Sequence, residues 1–142
     1  MTDKSNQVLA EIKERMFVAL SEIGERAVGH ARKNAPVGTP ESTGIKRYHG
    51  GMLRNSLTYK VIDNCVYIGT NLTAHGAPYP IYVEFGTGIF AKNGRKTPWI
   101  WKDKNGEFHF THGIKPTHFL RNAIQDNKNE YLNVIKKYFN NK

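Results

Sequence analysis

The chain holds little cysteine, little acid and no long apolar run. Cys65 is its one cysteine, which excludes an intramolecular disulfide framework and a cysteine-only zinc site. Thiol scarcity also fits a reducing compartment. The longest unbroken apolar stretch is Met16–Leu20, far below the roughly 18 residues that suggest a membrane span. The N-terminal segment lacks a basic region followed by an apolar stretch, so no secretory signal is expected. Neither a G-x-x-x-x-G-K-[ST] phosphate loop nor a G-x-S-x-G nucleophile elbow occurs, which removes two common routes to catalysis. Internal repeats and low-complexity tracts are missing as well.

What is there is basic. Twelve Asp and Glu stand against 21 Lys and Arg in 142 residues, a formal charge of +9. A hydrophobic content of 39% is too high for a disordered chain despite that charge. The length predicts a single domain over residues 1–142. The reading is therefore a soluble, intracellular domain with a polyanion as a plausible neighbour.

The charge is uneven. Residues 1–27 carry a net −1 and residues 61–91 a net −2. Residues 28–60 and 92–121 carry a net +5 each, from Arg32, Lys33, Lys46, Arg47, Arg54 and Lys60 against Glu41 in the first and Lys92, Arg95, Lys96, Lys102, Lys104, Lys115 and Arg121 against Asp103 and Glu107 in the second. These two segments hold most of the glycine and proline, and binding residues concentrate on loops. The excess is regional and forms no compact Lys/Arg tract, so solvated loop charge is the default reading.

The periodicity predicts helix, strands, helix. Leu9, Ile12, Met16, Ala19, Ile23 and Ala27 recur on one helical face, giving a helix over about 3–33 that Pro36 ends near Asn34. Residues 36–52, with Pro36, Gly38, Pro40, Gly44, Gly50 and Gly51, read as a loop long enough to be functional. A β region follows over 53–115. Leu57–Ile62 and Cys65–Thr70 flank Asp63-Asn64 as a hairpin with a two-residue connection. Ile81–Phe85 is either a strand or one to two helical turns. Pro98–Lys102 and Glu107–Thr111 flank an Asn-Gly hairpin signal. Trp99 and Trp101 are expected on the same face as Phe108 and Phe110, stacking across strands. A helix over about 117–138, with Thr117 as N-cap, carries Leu120, Ile124, Tyr131, Val134, Ile135 and Tyr138 on its apolar stripe. The expected fold class is α+β, two helices packed on one antiparallel sheet of about four strands.

Candidate chemistry is thin. His109, His112 and His118 are the nearest thing to a ligand cluster, but His109 and His112 fall on opposite faces of a strand, and no carboxylate lies between Glu107 and Asp126 to complete a set. His30, His49 and His75 are scattered. Ser56 lacks a nucleophile turn, and Cys65 reads as a small packed hydrophobe. Glu84 is an isolated acid between aromatics, in Tyr82-Val83-Glu84-Phe85-Gly86-Thr87. Such a group pairs with an arginine or caps a backbone amide more often than it catalyses, and Arg54 is a candidate partner. No cofactor or metal is expected.

Five motifs in order, spanning roughly residues 27–124, carry a resemblance. They are Ala35-Pro36-Val37-Gly38-Thr39, Gly51-Met52-Leu53-Arg54-Asn55-Ser56-Leu57, Val66-Tyr67-Ile68-Gly69-Thr70, Tyr79 with Tyr82-Val83-Glu84-Phe85-Gly86-Thr87, and Lys115-Pro116-Thr117-His118-Phe119-Leu120 with Ala123. Together they resemble the minor tail, or tail-completion (head–tail joining), family of long-tailed double-stranded-DNA bacteriophages and prophages. That family's members read "APVDTGxLRxS", "IGT", "YxxYVEFGT" and "PxPFLxPA". The chain departs from them at Gly38-Thr39-Pro40, in the longer loop before Gly51, and in Thr117-His118 inserted before Phe119.

The resemblance implies a virion protein without enzymatic activity, assembled in the host cytoplasm. It would work beside other neck and tail proteins, in a homo-oligomeric ring around a channel that passes DNA without reading it. It implies no membrane and no small-molecule substrate. The structural motif positions are then Pro36, Arg54, Ser56, Gly69, Tyr82, Glu84, Gly86, Thr87, Pro116 and Phe119. Lys46, Arg47, Lys92, Arg95 and Lys96 become candidate partner- or DNA-facing residues on loops 36–52 and 86–97. Two other readings stand beside it. One is a small basic nucleic-acid-binding module that stacks bases on Tyr59, Tyr67 or Trp101. The other is a small metal nuclease or toxin using His109, His112 and His118.

Overall fold

A computed structural model describes residues 2–38, 50–73, 79–103 and 105–140. Most of loop 36–52, including Lys46 and Arg47, lies outside the described residues. The elements in chain order are α1 (Thr2–Asn34), α2 (Met52–Ser56), β1 (Thr58–Ile62), β2 (Cys65–Gly69), α3 (Tyr79–Phe85), a 3-10 turn (Gly88–Phe90), β3 (Trp99–Lys102), β4 (Phe108–Thr111), α4 (Phe119–Gln125) and α5 (Lys128–Phe139). The class is α+β, with a long N-terminal helix and helices at the C-terminal end.

The strands do not form one sheet. β1 pairs with β2 and β3 pairs with β4, each as a separate antiparallel hairpin. A sheet of four strands needs the segment between the hairpins to run extended, and here it turns helical. Pro80, Val83 and Glu84 are the buried residues of α3, an i, i+3, i+4 spacing that a helix presents on one side. Pro80 falls in the first turn, where its missing N–H is no loss. The YVEF run is therefore helix, and the region 53–115 is mixed.

Two apolar clusters hold the body together. One joins Val28, Ala31 and Ala35 of α1 to Leu53, Leu57, Val83, Phe119 and Ala123. The other joins Leu20, Ile23 and Ala27 to Tyr131 and Val134 of α5. Ile68 packs against both. The α1 stripe continues past this core: Leu9 and Ile12 are 51% and 45% exposed, because the body reaches only as far as Met16. At Gly24 the first hairpin lies directly on α1. A Cβ there would run into the Tyr59 ring, so glycine sets this close approach.

The predicted C-terminal helix is two helices, broken at Asp126-Asn127. Asn127 Nδ2 donates to Ala123 O at 3.0 Å, a side-chain bond to the fourth carbonyl back that competes with helical pairing. The Tyr131 hydroxyl donates to the same carbonyl. Across α1 and α5, Glu22 accepts from Arg26, Lys137 and Tyr138 at 2.9, 2.9 and 2.6 Å. Glu130 accepts from Arg26 at 2.9 Å and lies 2.6 Å from His30 Nε2.

The two hairpins differ in their turns. Ile62 faces Cys65, and Asp63 and Asn64 both have positive φ, 50° and 61°. This is the two-residue turn the sequence predicts. The second connection is three residues long. Asp103 N–H donates to Glu107 O at 2.9 Å, and Asp103 Oδ1 accepts the N–H groups of Asn105 and Glu107 at 2.8 and 2.9 Å. Relative to a two-residue Asn-Gly turn, this shifts the register by one and reverses the faces. Trp101 faces His109 and Ile100 faces Phe110, so the tryptophans and phenylalanines lie on opposite faces. Trp101 stacks on His109 with ring centroids 4.5 Å apart.

Candidate functional site

The motif residues converge on a clamp that joins distant segments. At its centre Glu84, 6% exposed, accepts the N–H of Leu120 at 2.9 Å and of Arg121 at 3.2 Å, one on each carboxylate oxygen. These amides belong to the first turn of α4, which has no partners of its own there. An acid is also favoured at that end of a helix. Arg54 is not the partner of Glu84: its guanidinium donates to Ala35 O at 3.4 Å, and the expected ion pair is absent. Thr117 is not the N-cap either. Its N–H and hydroxyl donate to Val83 O at 3.0 and 2.9 Å, which leaves the N-cap position to His118 in a left-handed conformation. His118 N–H donates to Glu84 O at 3.2 Å. Its Nδ1 is buried without a hydrogen-bond partner among the described residues and lies 3.9 Å from the Glu84 carboxylate.

The clamp continues through Gly86 and Thr87. Gly86 N–H donates to Tyr82 O at 2.8 Å, and Gly86 has φ +78°, with Ile114 O and Pro116 within 2.9 Å of where a Cβ would stand. Thr87 N–H donates to Ile114 O at 2.9 Å, Ile114 N–H donates to Thr87 Oγ1 at 3.0 Å, and Ile89 N–H donates to His112 O at 3.1 Å. Phe119 is fully buried beneath. The Met52–Leu57 motif does similar work elsewhere. Ser56 Oγ donates to Leu53 O at 2.8 Å and accepts from Thr70 Oγ1 at 2.7 Å, while Thr70 Oγ1 accepts Leu72 N–H at 3.0 Å. That chain ties α2 to the end of β2 just beyond Gly69. Pro36 lies with Gly38, Gly51, Met52, Leu53, Leu72, Thr73 and Tyr79 around a small hollow of about 150 Å³. Tyr82 is 41% exposed on the outer side of α3.

No family model, curated protein or solved structure matches the chain.

Lys92, Arg95 and Lys96 are exposed on the stretch between the 3-10 turn and β3. Arg95 Nε donates to Thr97 Oγ1 at 3.0 Å, and its guanidinium lies 5.6 Å from the Trp99 ring centroid. Lys102 sits over Phe108 and Lys115 over Phe90 in the same way, at 5.4 and 5.9 Å. Of the aromatics considered for base stacking, Tyr59 packs against the core, whereas Tyr67 and Trp101 are 58% and 41% exposed.

His109, His112 and His118 are not brought together. Among the described residues, the one group of three potential metal donors is Asp103, Glu107 and His109. Its Asp103 carboxylate already holds two backbone amides and His109 Nε2, the last at 2.8 Å. These bonds hold its carboxyl below the usual carboxylate range, the His109 bond contributing most. The group is the staple of the hairpin turn. Cys65 is exposed and packs in no core, contrary to the sequence expectation. The outward-facing start of β2, opposite Ile62, accounts for this. Sequence reasoning missed Asp103 as the turn's organiser, although an Asx residue opening a hairpin loop is a readable signal.

Proposed function

We propose that the chain is a non-enzymatic structural protein of a long-tailed phage or prophage virion. It acts at the head–tail junction or tail end, in tail completion and head–tail joining, within a ring of like subunits. The ordered motifs suggest this reading. The observation that carries it furthest is the use those motifs are put to: Ser56, Glu84, Gly86, Thr87, Pro116 and Phe119 hold segments of chain together. Such a clamp suits a part whose task is to keep its shape while its surfaces dock. Lys92, Arg95 and Lys96, exposed beside the clamp, are the residues proposed to face partners or passing DNA. Deleting the gene from a producing lysogen tests the reading. Filled heads and finished tails accumulating unjoined support it, and a normal yield of joined particles refutes it. A portal and capsid gene upstream and a tail-tube gene downstream in the source DNA would support the same class.

The cation–ring pairs of Arg95, Lys102 and Lys115 favour a second reading, a small basic nucleic-acid-binding module. Single-strand binders combine positive charge with aromatic faces. That reading requires the isolated chain to bind DNA with an affinity that falls steeply with salt; the assembly reading requires no such binding.

A further inference from the structure

Two surface features, one of them bordering the clamp, fit each other. The first is the outer edge of β2. Ile62 and Cys65 flank a two-residue turn and form a hydrogen-bonded pair. The bonds to β1 alternate from there, so the N–H and C=O groups of Val66 and Ile68 point away from β1. Among the described residues no hydrogen bond reaches this edge. Alongside it runs a groove of about 430 Å³ whose far wall is α3 and α4, mostly apolar through Ile81, Phe85, Leu120 and Ile124, with Glu84 and Arg121 among them. Ile81, Phe85 and Ile124 are 52%, 61% and 45% exposed. An open strand edge beside an apolar wall is the receptor for an added strand.

The second feature is the β3–β4 hairpin. Its outer face carries Ile100, Phe108 and Phe110, 65%, 73% and 64% exposed, and no helix or other strand packs closely on it. A lone two-stranded hairpin is marginal in water unless a helix or further strands cover it. Asp103 and Glu107 form the closing pair, so the backbone groups of Phe108 and Phe110 point outward from β4.

We propose that β4 of one copy of this chain docks along β2 of a second copy. Phe108 and Phe110 then enter the groove beside Ile81, Phe85 and Ile124. The result is an intermolecular four-stranded sheet in the order β1-β2-β4-β3. The occupant is a second copy because receptor and donor lie on the same chain, each with an open backbone edge and apolar side chains on the same side. The alternating phenylalanines stand roughly 7 Å apart, the spacing an extended strand presents to one wall. Glu107 beside Phe108 and Arg121 at the groove are both exposed and of opposite charge. Arm and groove are different surfaces, so the contact is heterologous and propagates into a ring or a filament. The proposal deepens the ring reading above and rests on it for the biological setting alone.

The test uses the purified full chain in sedimentation velocity over a concentration series. Wild type is expected to form oligomers larger than a dimer. An arm variant, Phe108→Ser with Phe110→Ser, and a groove variant, Ile81→Lys with Ile124→Lys, are each expected to stay monomeric. Mixed in equal amounts they restore one contact, giving a dimer and nothing larger. A wild-type chain that remains monomeric throughout overturns the proposal, as does an arm variant that still assembles or a mixture without dimer. The wild-type protein gives a second measurement that needs no variant to fold. Cys65 is its sole cysteine and begins β2, so a photo-crosslinker on that thiol should capture residues 106–112 of another chain. Capture elsewhere refutes the docking. Assembly in solution with normal head–tail joining in the gene deletion would refute the virion role and leave the interface standing.

Discussion

The Glu84 carboxylate accepts the Leu120 amide at 2.9 Å across 36 residues of sequence, and this bond fixes α4 against α3. Arg121 N–H shares the same carboxylate. Glu84→Ala leaves two amides at a buried helix start without an acceptor, at a cost of about 2–3 kcal/mol. Glu84→Gln keeps an acceptor and loses the charge, at about 1 kcal/mol. Arg54→Ala should change stability by less than about 0.5 kcal/mol, and a double-mutant cycle between Arg54 and Glu84 should show no coupling. Urea denaturation of the wild type, the three single variants and the double variant measures all of this.

Gly24 offers a sharper steric test. Gly24→Ala would usually help a helix, but here the methyl group enters the Tyr59 ring. The expected outcome is a loss of about 1–3 kcal/mol. Tyr59→Val should recover part of that loss in the Gly24→Ala background, a non-additivity expected of touching residues. Thermal melts of the single and double variants decide it.

Stability should fall in acid in a defined window. Hydrogen bonds from Tyr138, Lys137 and Arg26, in that order of effect, pull the Glu22 carboxyl down from 4.5 to about 2. Arg26 first and His30 second lower Glu130. A carboxyl whose pKa is lower folded than unfolded contributes fully above its unfolded value. It loses that contribution as the pH drops from about 4.5 towards 2. Glu22→Gln should therefore flatten the decline in melting temperature over that range and leave the curve above pH 6 nearly parallel to wild type.

Asp103→Ala removes the acceptor for the amides of Asn105 and Glu107 and for His109. The hairpin should loosen or slip register, seen as lost cross-strand contacts between Trp101 and His109 in NMR spectra. The melting temperature of the monomer should move little, since no helix or other strand of the same copy packs closely on the hairpin among the described residues.

Local rules carried the sequence reading a certain distance. The 3.6-residue stripe of α1, its stop before Pro36 and the Asp63-Asn64 turn all depend on neighbours in sequence, and all were legible. The split between two sheets was not, because YVEF satisfies strand and helix patterns equally and only packing of Val83 and Glu84 decides. The identity of Glu84's partners was hidden for a related reason: backbone amides leave no trace in side-chain chemistry, so an arginine looked the natural mate. The face of Phe108 and Phe110 turned on whether a loop holds two residues or three. Asp103 settled that through its side chain. As for the site, the motif positions were legible as a set, but their shared task of clamping became visible only in three dimensions.

Ile68 touches both apolar clusters, and this has a kinetic meaning. One side chain shared between two cores couples their opening, so the amides of α1 beyond Met16 and of β1, β2, α4 and α5 should exchange with solvent in one slow class. The β3–β4 amides lack that tether and should exchange faster by a wide margin. The molecule would then behave as a stiff body carrying an arm that opens and closes on its own clock.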